Sequence, residues 1–337
     1  MVNYLKRLAR GTVLMAIFSI YTCSVKAQDL HLSQYYTNNQ FLNPAWTGNY
    51  DGDLRFTANN RTQWWQIASA PIQTNMFAIE KKIPDFSNEL SFGVIFMDDR
   101  ANMAYLRTHA ALFSISYQLK VGQNLFRLGA QGGMTARRYD FAGQTYPDQW
   151  NYAQGDYSGS HGETFERYRN MLGDFNAGAG WIRTFGNTKV SAGYAVFNII
   201  RPEDAIFSLN RRLPLKHSFN AEAAINTSSK LCVTPHIFYM HTARAMSFIA
   251  GTRALYQLND ETGIILGGGF RGSDTNGDAV IGTAGFLYGR LQFAFSYDIN
   301  VSLLSKHSGH RSAAEFSIIY TTPGIYPSKK TIPCHRY

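Results

Sequence analysis

Along most of this chain, large apolar residues alternate with small or polar ones. Leu291, Phe293, Phe295, Tyr297 and Ile299 alternate with Gln292, Ala294, Ser296, Asp298 and Asn300. The same period of two runs through Leu90 to Phe96, Phe113 to Leu119 and Phe126 to Ala130. A strand turns successive side chains to opposite faces, so this rhythm predicts sheet with one apolar face and one small or polar face. No helical period of useful length competes with it.

Segmenting on the rhythm predicts fourteen strands: 53–60, 73–82, 89–98, 104–119, 124–138, 173–185, 189–198, 215–226, 231–241, 246–257, 262–271, 279–288, 291–301 and 313–321. Most are near the roughly 9–11 residues that a tilted strand needs to cross a bilayer. The connections alternate in length. Those at 83–88, 120–123, 186–188, 227–230, 258–261 and 289–290 hold at most six residues. Those at 61–72, 99–103, 139–172, 199–214, 242–245, 272–278 and 302–312 reach 34. Outer-membrane barrels carry short periplasmic turns and longer external loops. The expected fold class is therefore all-β, a transmembrane antiparallel β-barrel of about 14 strands of the outer-membrane type. Backbone chemistry demands closure, because an unpaired N–H or C=O in hydrocarbon costs several kcal/mol. A barrel this wide is not filled by its own wall side chains, so something plugs it or it conducts.

Composition fits this picture. Aromatic residues make up 14% and charged residues 16% of the chain. After residue 27 no apolar run reaches the roughly 18 residues of a transmembrane helix. Residues 1–27 read as a signal peptide, with Lys6, Arg7 and Arg10 before the apolar run Val13 to Ile20 and Val25-Lys26-Ala27 at the cleavage spacing. Cys23 raises a lipoprotein alternative, but Tyr21-Thr22 makes a poor lipobox. Removing 1–27 takes away four basic and no acidic residues, and the formal net charge falls from +9 to +5. That charge is too mild and too scattered to argue for nucleic acid. Cys232 and Cys334 remain, and a disulfide between them is permitted without being implied. The expected organisation is a signal peptide at 1–27, a periplasmic or plug segment at 28–52, the barrel at 53–321 and a tail at 322–337. The expected location is the outer membrane. In the plug segment, Leu30, Leu32, Tyr35, Tyr36, Phe41, Leu42 and Trp46 need apolar cover, and Asn43-Pro44 favours a turn.

Short motifs in order add a family resemblance. Gln28-Asp29, Ser33-Gln34-Tyr35, Asn38, Asn43-Pro44-Ala45 and Gly48 open the series. Arg61-Thr62-Gln63-Trp64 follows, with Pro71 and Thr74, then Asn198, Pro202, Phe207 and Leu213-Pro214, and last Phe295-Ser296-Tyr297-Asp298 with Ser302. The chain resembles the PorP/SprF family of type IX secretion system membrane proteins over nearly its whole mature length. It departs in a longer insert at 139–172 and a less glycine-rich 302–312 loop. The resemblance implies an outer-membrane adaptor that accepts the C-terminal domain of a secreted surface protein, such as a gliding adhesin. It also implies contacts with periplasmic ring and motor components. A porin-like or hydrophobic-solute channel is the alternative, since a 14-strand lumen is wide enough.

Candidate chemistry is sparse. Asp274 to Asp278 partly matches a calcium loop but lacks its sixth-position Gly and distant Glu, so an Asn-Gly turn is favoured. His307, His310 and His335 beside Cys334 match no zinc spacing. Gly155 to Gly159 is no nucleophile elbow, Gly267-Gly268-Gly269 fits close strand packing, and Asp98-Asp99 fits a solvated strand end. No nucleophile, base and oxyanion site assemble, so no enzyme activity and no cofactor are expected. Trp64-Trp65 can serve as a partner anchor or as an interfacial belt. The 139–172 loop, with Trp150 among other aromatic residues such as Phe141, Tyr146, Tyr152, Tyr157, Phe165 and Tyr168, suits a recognition surface or a fold into the barrel mouth. Arg201, Arg211, Arg212 and Lys216 form a basic cluster that could meet lipopolysaccharide or an acidic partner, although a solvated loop is the simpler reading. The residues set down for partner binding or plugging are Asn43, Pro44, Trp46, Arg61, Trp64, Trp65, Trp150, Arg211 and Arg212.

Overall fold

The computed structural model describes residues 32–65, 71–84, 89–101, 105–139, 147–152, 154–158, 168–206, 209–243, 245–273, 277–302 and 311–324. The strands are β1 (Leu54–Gln63), β2 (Ile72–Pro84), β3 (Glu89–Ala101), β4 (Leu106–Val121), β5 (Asn124–Tyr139), β6 (Tyr168–Phe185) and β7 (Thr188–Phe197). A small hairpin follows, β8 (Glu203–Ile206) and β9 (Leu209–Arg212). Then come β10 (Lys216–Asn226), β11 (Leu231–Thr242), β12 (Ala245–Gln257), β13 (Thr262–Ser273), β14 (Gly277–Tyr288), β15 (Leu291–Asn300) and β16 (Arg311–Thr321).

All strands but β8 and β9 form one closed antiparallel barrel, each paired with its neighbours in chain order. The seam closes where β1 meets β16, with Arg55 opposite Thr321 and Gln63 opposite Ala313. The expected fourteen membrane strands are therefore present, and closure leaves no open edge in hydrocarbon. Among the described residues no helix is long and apolar enough to cross a membrane.

Two details correct the sequence reading. Strand β1 runs on to Gln63, so Arg61 lies in the wall and not in a loop. The 199–214 stretch is not plain loop, because its middle folds as the β8–β9 hairpin. The hairpin leans on the strand extensions below: Arg137 pairs with Asp204 at 2.6 Å, and the Asn170 amide donates to the Glu203 carbonyl at 3.2 Å.

The two faces of the wall differ as the alternation requires. Phe77, Phe96, Phe113, Tyr117, Leu128, Tyr194, Phe286 and Phe295 are exposed on the outside. Positions one residue away turn inward and are polar yet buried: Arg55, Thr57, Asn59, Arg61, Ser114, Arg127, Asn220 and Ser296. Buried polar atoms inside a barrel this wide require something to cover them.

Candidate functional site

The cover is the stretch Leu32 to Tyr50, in which every residue except the half-buried Phe41 is buried. It contains no Asp, Glu, Lys or Arg. Its local shape comes from two side-chain caps. Asn38 accepts from the Phe41 N–H and starts the helical turn Asn39–Leu42. Asn43 accepts from the Ala45 N–H at 2.9 Å and starts the tighter turn Pro44–Trp46, with Pro44 where no amide donor is needed.

The segment touches the wall all the way round. On β1 and β2, Arg55 donates to the Thr37 carbonyl and Glu80 accepts from the Gly48 N–H. On β3 and β4, the Val94 carbonyl accepts from Gln40 and the Ser114 hydroxyl donates to it. On β5, Arg127 donates to the carbonyls of Ala45 and Thr47. Asn43 donates to Ala179 on β6 and Tyr194 on β7. The Trp46 indole donates to Asn220 on β10 at 3.0 Å. Tyr35 shares a hydrogen bond with His236 on β11, and Arg253 on β12 lies 4.2 Å over the Tyr36 ring. Thr283 on β14 bonds the Tyr36 hydroxyl. Ser33 reaches Arg271 on β13, Asp298 on β15 and Glu315 on β16. A segment in contact with all fourteen strands of a closed sheet occupies its lumen.

Glycines make room for it. A Cβ on Gly129 would lie 2.4 Å from the Pro44–Ala45 backbone. Cβ atoms on Gly180 and Gly193 would each lie 2.7 Å from the Trp46 ring. Gly48 on the segment itself takes φ +79°, where a side chain would collide with Ser91.

The segment runs along the barrel axis. Ser33 meets residues near the loop-side ends of β1, β13, β15 and β16. Thr47 to Tyr50 meet Arg127, Glu80 and Lys82 near the turn-side ends. At the loop-side end the segment completes a dry ion network. Arg61 donates to Asp298 at 2.8 Å, to Glu315 at 3.1 Å and to the Ser33 hydroxyl at 2.7 Å. Arg271 donates to Asp298 at 2.8 Å, and the amides of Ser33 and Gln34 donate to Glu315 at 2.7 and 3.0 Å. At the turn-side end Arg55 pairs with Glu80 at 3.2 Å, both side chains being fully buried. Buried ions persist only when paired and hydrogen-bonded, and the segment's amides and carbonyls supply the missing partners.

The residues picked from sequence separate into two groups. Asn43, Pro44, Trp46 and Arg61 meet in or around the lumen segment. Trp64 and Trp65 are exposed at the loop-side end of β1, and Trp64 adopts φ 59°. Trp150 stacks edge-on against Tyr157 at 4.9 Å, away from that group in the chain. Arg212 is exposed and pairs with Glu203 at 3.1 Å, and the backbone of Arg211 pairs with Asp204 across the hairpin. Sequence reasoning missed Arg55, Glu80, Arg127, Arg253, Arg271 and Glu315. The available signal was opposite charges recurring on the inward face of neighbouring strands. Among the described residues no group of His, Cys, Asp and Glu is placed to hold a metal ion. Asp274 to Asn276, His307, His310, Cys334 and His335 lie outside the described residues, while Asp278 pairs with Arg271 at 2.5 Å.

Comparison with known proteins adds three findings. A family model described as "Type IX secretion system membrane protein PorP/SprF" matches residues 24–320. No curated protein sequence matches the chain. The chain's fold is similar to that of a structure titled "CymD monoaromatic hydrocarbon channel", at TM-score 0.51 and 10% identity over 86% of this chain and 94% of that one. The toluene transporter TbuX of Ralstonia pickettii follows at TM-score 0.48 and 11% identity, over 82% and 91%. At these identities the likeness speaks for the barrel alone.

Proposed function

Since the chain belongs to the PorP/SprF family of type IX secretion system membrane proteins, we propose that it is an outer-membrane adaptor for a secreted surface protein. The signal peptide is removed after Ala27, and the barrel anchors the mature chain. The loop-side mouth receives the C-terminal domain of the cargo, such as a gliding adhesin. Trp64, Trp65, Trp150, Arg211 and Arg212 belong to that receiving surface. The turn side faces the periplasmic ring and motor components. Family membership supports interaction with secretion components, since the family is one of secretion system membrane proteins.

One observation carries the adaptor reading over the channel reading: the lumen segment bonds to the wall on every strand. Such a lumen supports a role at the rims of the barrel, not transport through it. Deleting the gene should abolish surface display of one cargo and leave general outer-membrane permeability unchanged. Persistent display would sink the adaptor reading. Steady ion current from the purified barrel in a planar bilayer would favour the channel.

A further inference from the structure

We infer that the C-terminal tail folds back across the turn-side mouth of the barrel and is stapled there by a disulfide between Cys334 and Cys232. Cys232 is buried near the turn-side end of β11 and is disulfide-bonded. Its partner lies outside the described residues. The other two cysteines of the chain are Cys23 and Cys334. Cys23 precedes the expected cleavage after Ala27, and its stretch leads to Ser33 at the loop-side end of the lumen. Cys334 follows β16, which ends on the turn side, where Cys232 lies.

The reach is sufficient. The described chain ends at Gly324, and Cys334 is ten residues further on. Ten extended residues span up to about 33–36 Å. Strands β16 and β11 are five steps apart along the wall, about 24 Å at the usual strand spacing and less straight across the mouth.

The wall between those strands is built for a cover. An inward row starts at Cys232, which lies opposite Leu255, with Leu255 opposite Ile265. It continues with Leu287 opposite Gln292 and Gln292 opposite Ile319. Leu255, Ile265, Leu287 and Ile319 form one buried apolar cluster. Residues 32–50 meet these strands at Arg253, Thr283 and Ser317, each on the loop side of the row. Gln292 is 3% exposed, yet its Oε1 has no hydrogen-bond partner among the described residues. A buried acceptor without a donor is costly, and a backbone N–H crossing the mouth supplies one. A lipid or detergent tail would cover the apolar row but would give Gln292 no donor. The C-terminal tail brings both, with Ile325, Tyr326 and Ile332 among its residues and amides along its backbone. Forming the staple joins the two sulfurs and releases two protons and two electrons. A disulfide oxidant of the oxidising compartment takes them and becomes a dithiol.

The test uses the full mature barrel purified from native outer membranes without reductant. Free thiols are alkylated, the protein is digested, and mass spectrometry searches for linked peptides. The Cys232 peptide should be joined to the Cys334 peptide, with neither cysteine alkylated. Cys334→Ser should leave one thiol, at Cys232, that alkylates once the barrel is denatured. Trypsin then reads the strap at Lys329 and Lys330 in the tail. Cleavage there should be at least roughly tenfold faster in Cys334→Ser, or in reduced wild type, than in unreduced wild type. Resistance to unheated detergent checks that each barrel is folded. An alkylated Cys232 in wild type, or a link from it to Cys23 or to a second chain, would overturn the inference. So would tail cleavage at the same rate with and without the bond.

Discussion

Replacing Trp46 with alanine is the most direct test of how firmly the lumen segment is held. The ring is 2% exposed, lies close over Gly180 and Gly193, and donates to Asn220 at 3.0 Å. Truncating a buried Trp costs about 3–5 kcal/mol. The stranded Asn220 oxygen adds about 1–3 kcal/mol unless water replaces the indole N–H. Water can do so, because Asn43 and Asn220 line the same space. The net loss is then about 3–5 kcal/mol. The loss falls on docking of the segment, not on the strand ladder, so the undocked population should rise by roughly two to four orders of magnitude. Proteolysis tracks that population when redocking is faster than cleavage. Chymotrypsin should therefore cut Trp46→Ala within residues 32–50 far faster than wild type, with the barrel still resistant to unheated detergent. Trp181→Ala is the control, because its indole bonds Asn124 in the wall away from the segment. Equal cleavage of the segment in both variants would refute the reasoning.

Arg61→Leu should be among the most damaging single changes, because it leaves Glu315 with donors only from Ser33 and Gln34 in a dry site. The expected cost is about 3–5 kcal/mol, read as a lower denaturant midpoint for the whole barrel. A midpoint within error of wild type would show that water already solvates the network. Gly178→Val should expel Asn43, since even a Cβ would lie 1.9 Å from its side-chain oxygen. Ion current through the variant in a planar bilayer, absent in wild type, is the expected readout, and a sealed variant would count against the segment as the seal.

The barrel was legible because period-two alternation and the length of turns are local properties of a chain. They survive without knowledge of any partner. What failed were places where local pattern and tertiary role part company. Arg61 lies in β1, but the segmentation ended that strand at residue 60. The β8–β9 hairpin has four-residue strands, too short to show a period. The charged wall positions were the larger miss. Arg55, Glu80, Arg127 and Arg253 occupy the polar face, and a polar face reads the same whether it meets water or protein. Only their mutual placement, such as Arg55 directly opposite Glu80, distinguishes a dry network from a wet channel. The segment gave a partial signal, since apolar residues from Leu32 to Trp46 need cover, but its hydroxyls and amides pair with strands more than 200 residues away in sequence.

The distribution of charge explains why the segment and the seam belong together. Residues 32–50 are neutral, and the wall around them holds the ions. Arg61 and Glu315 face each other across the β1–β16 junction, the last pairing needed to close the barrel. Glu315 takes the remainder of its donors from Ser33 and Gln34. Closing the seam without the segment would bury a carboxylate with too few partners, while docking the segment in an open sheet would leave its polar groups half satisfied. Each step therefore stabilises the other, and the segment is joined to β1 through residues 51–53 alone. Loss of the segment should in consequence loosen both pairings of β1, with β16 at Arg61 and Glu315 and with β2 at Arg55 and the segment-bonded Glu80.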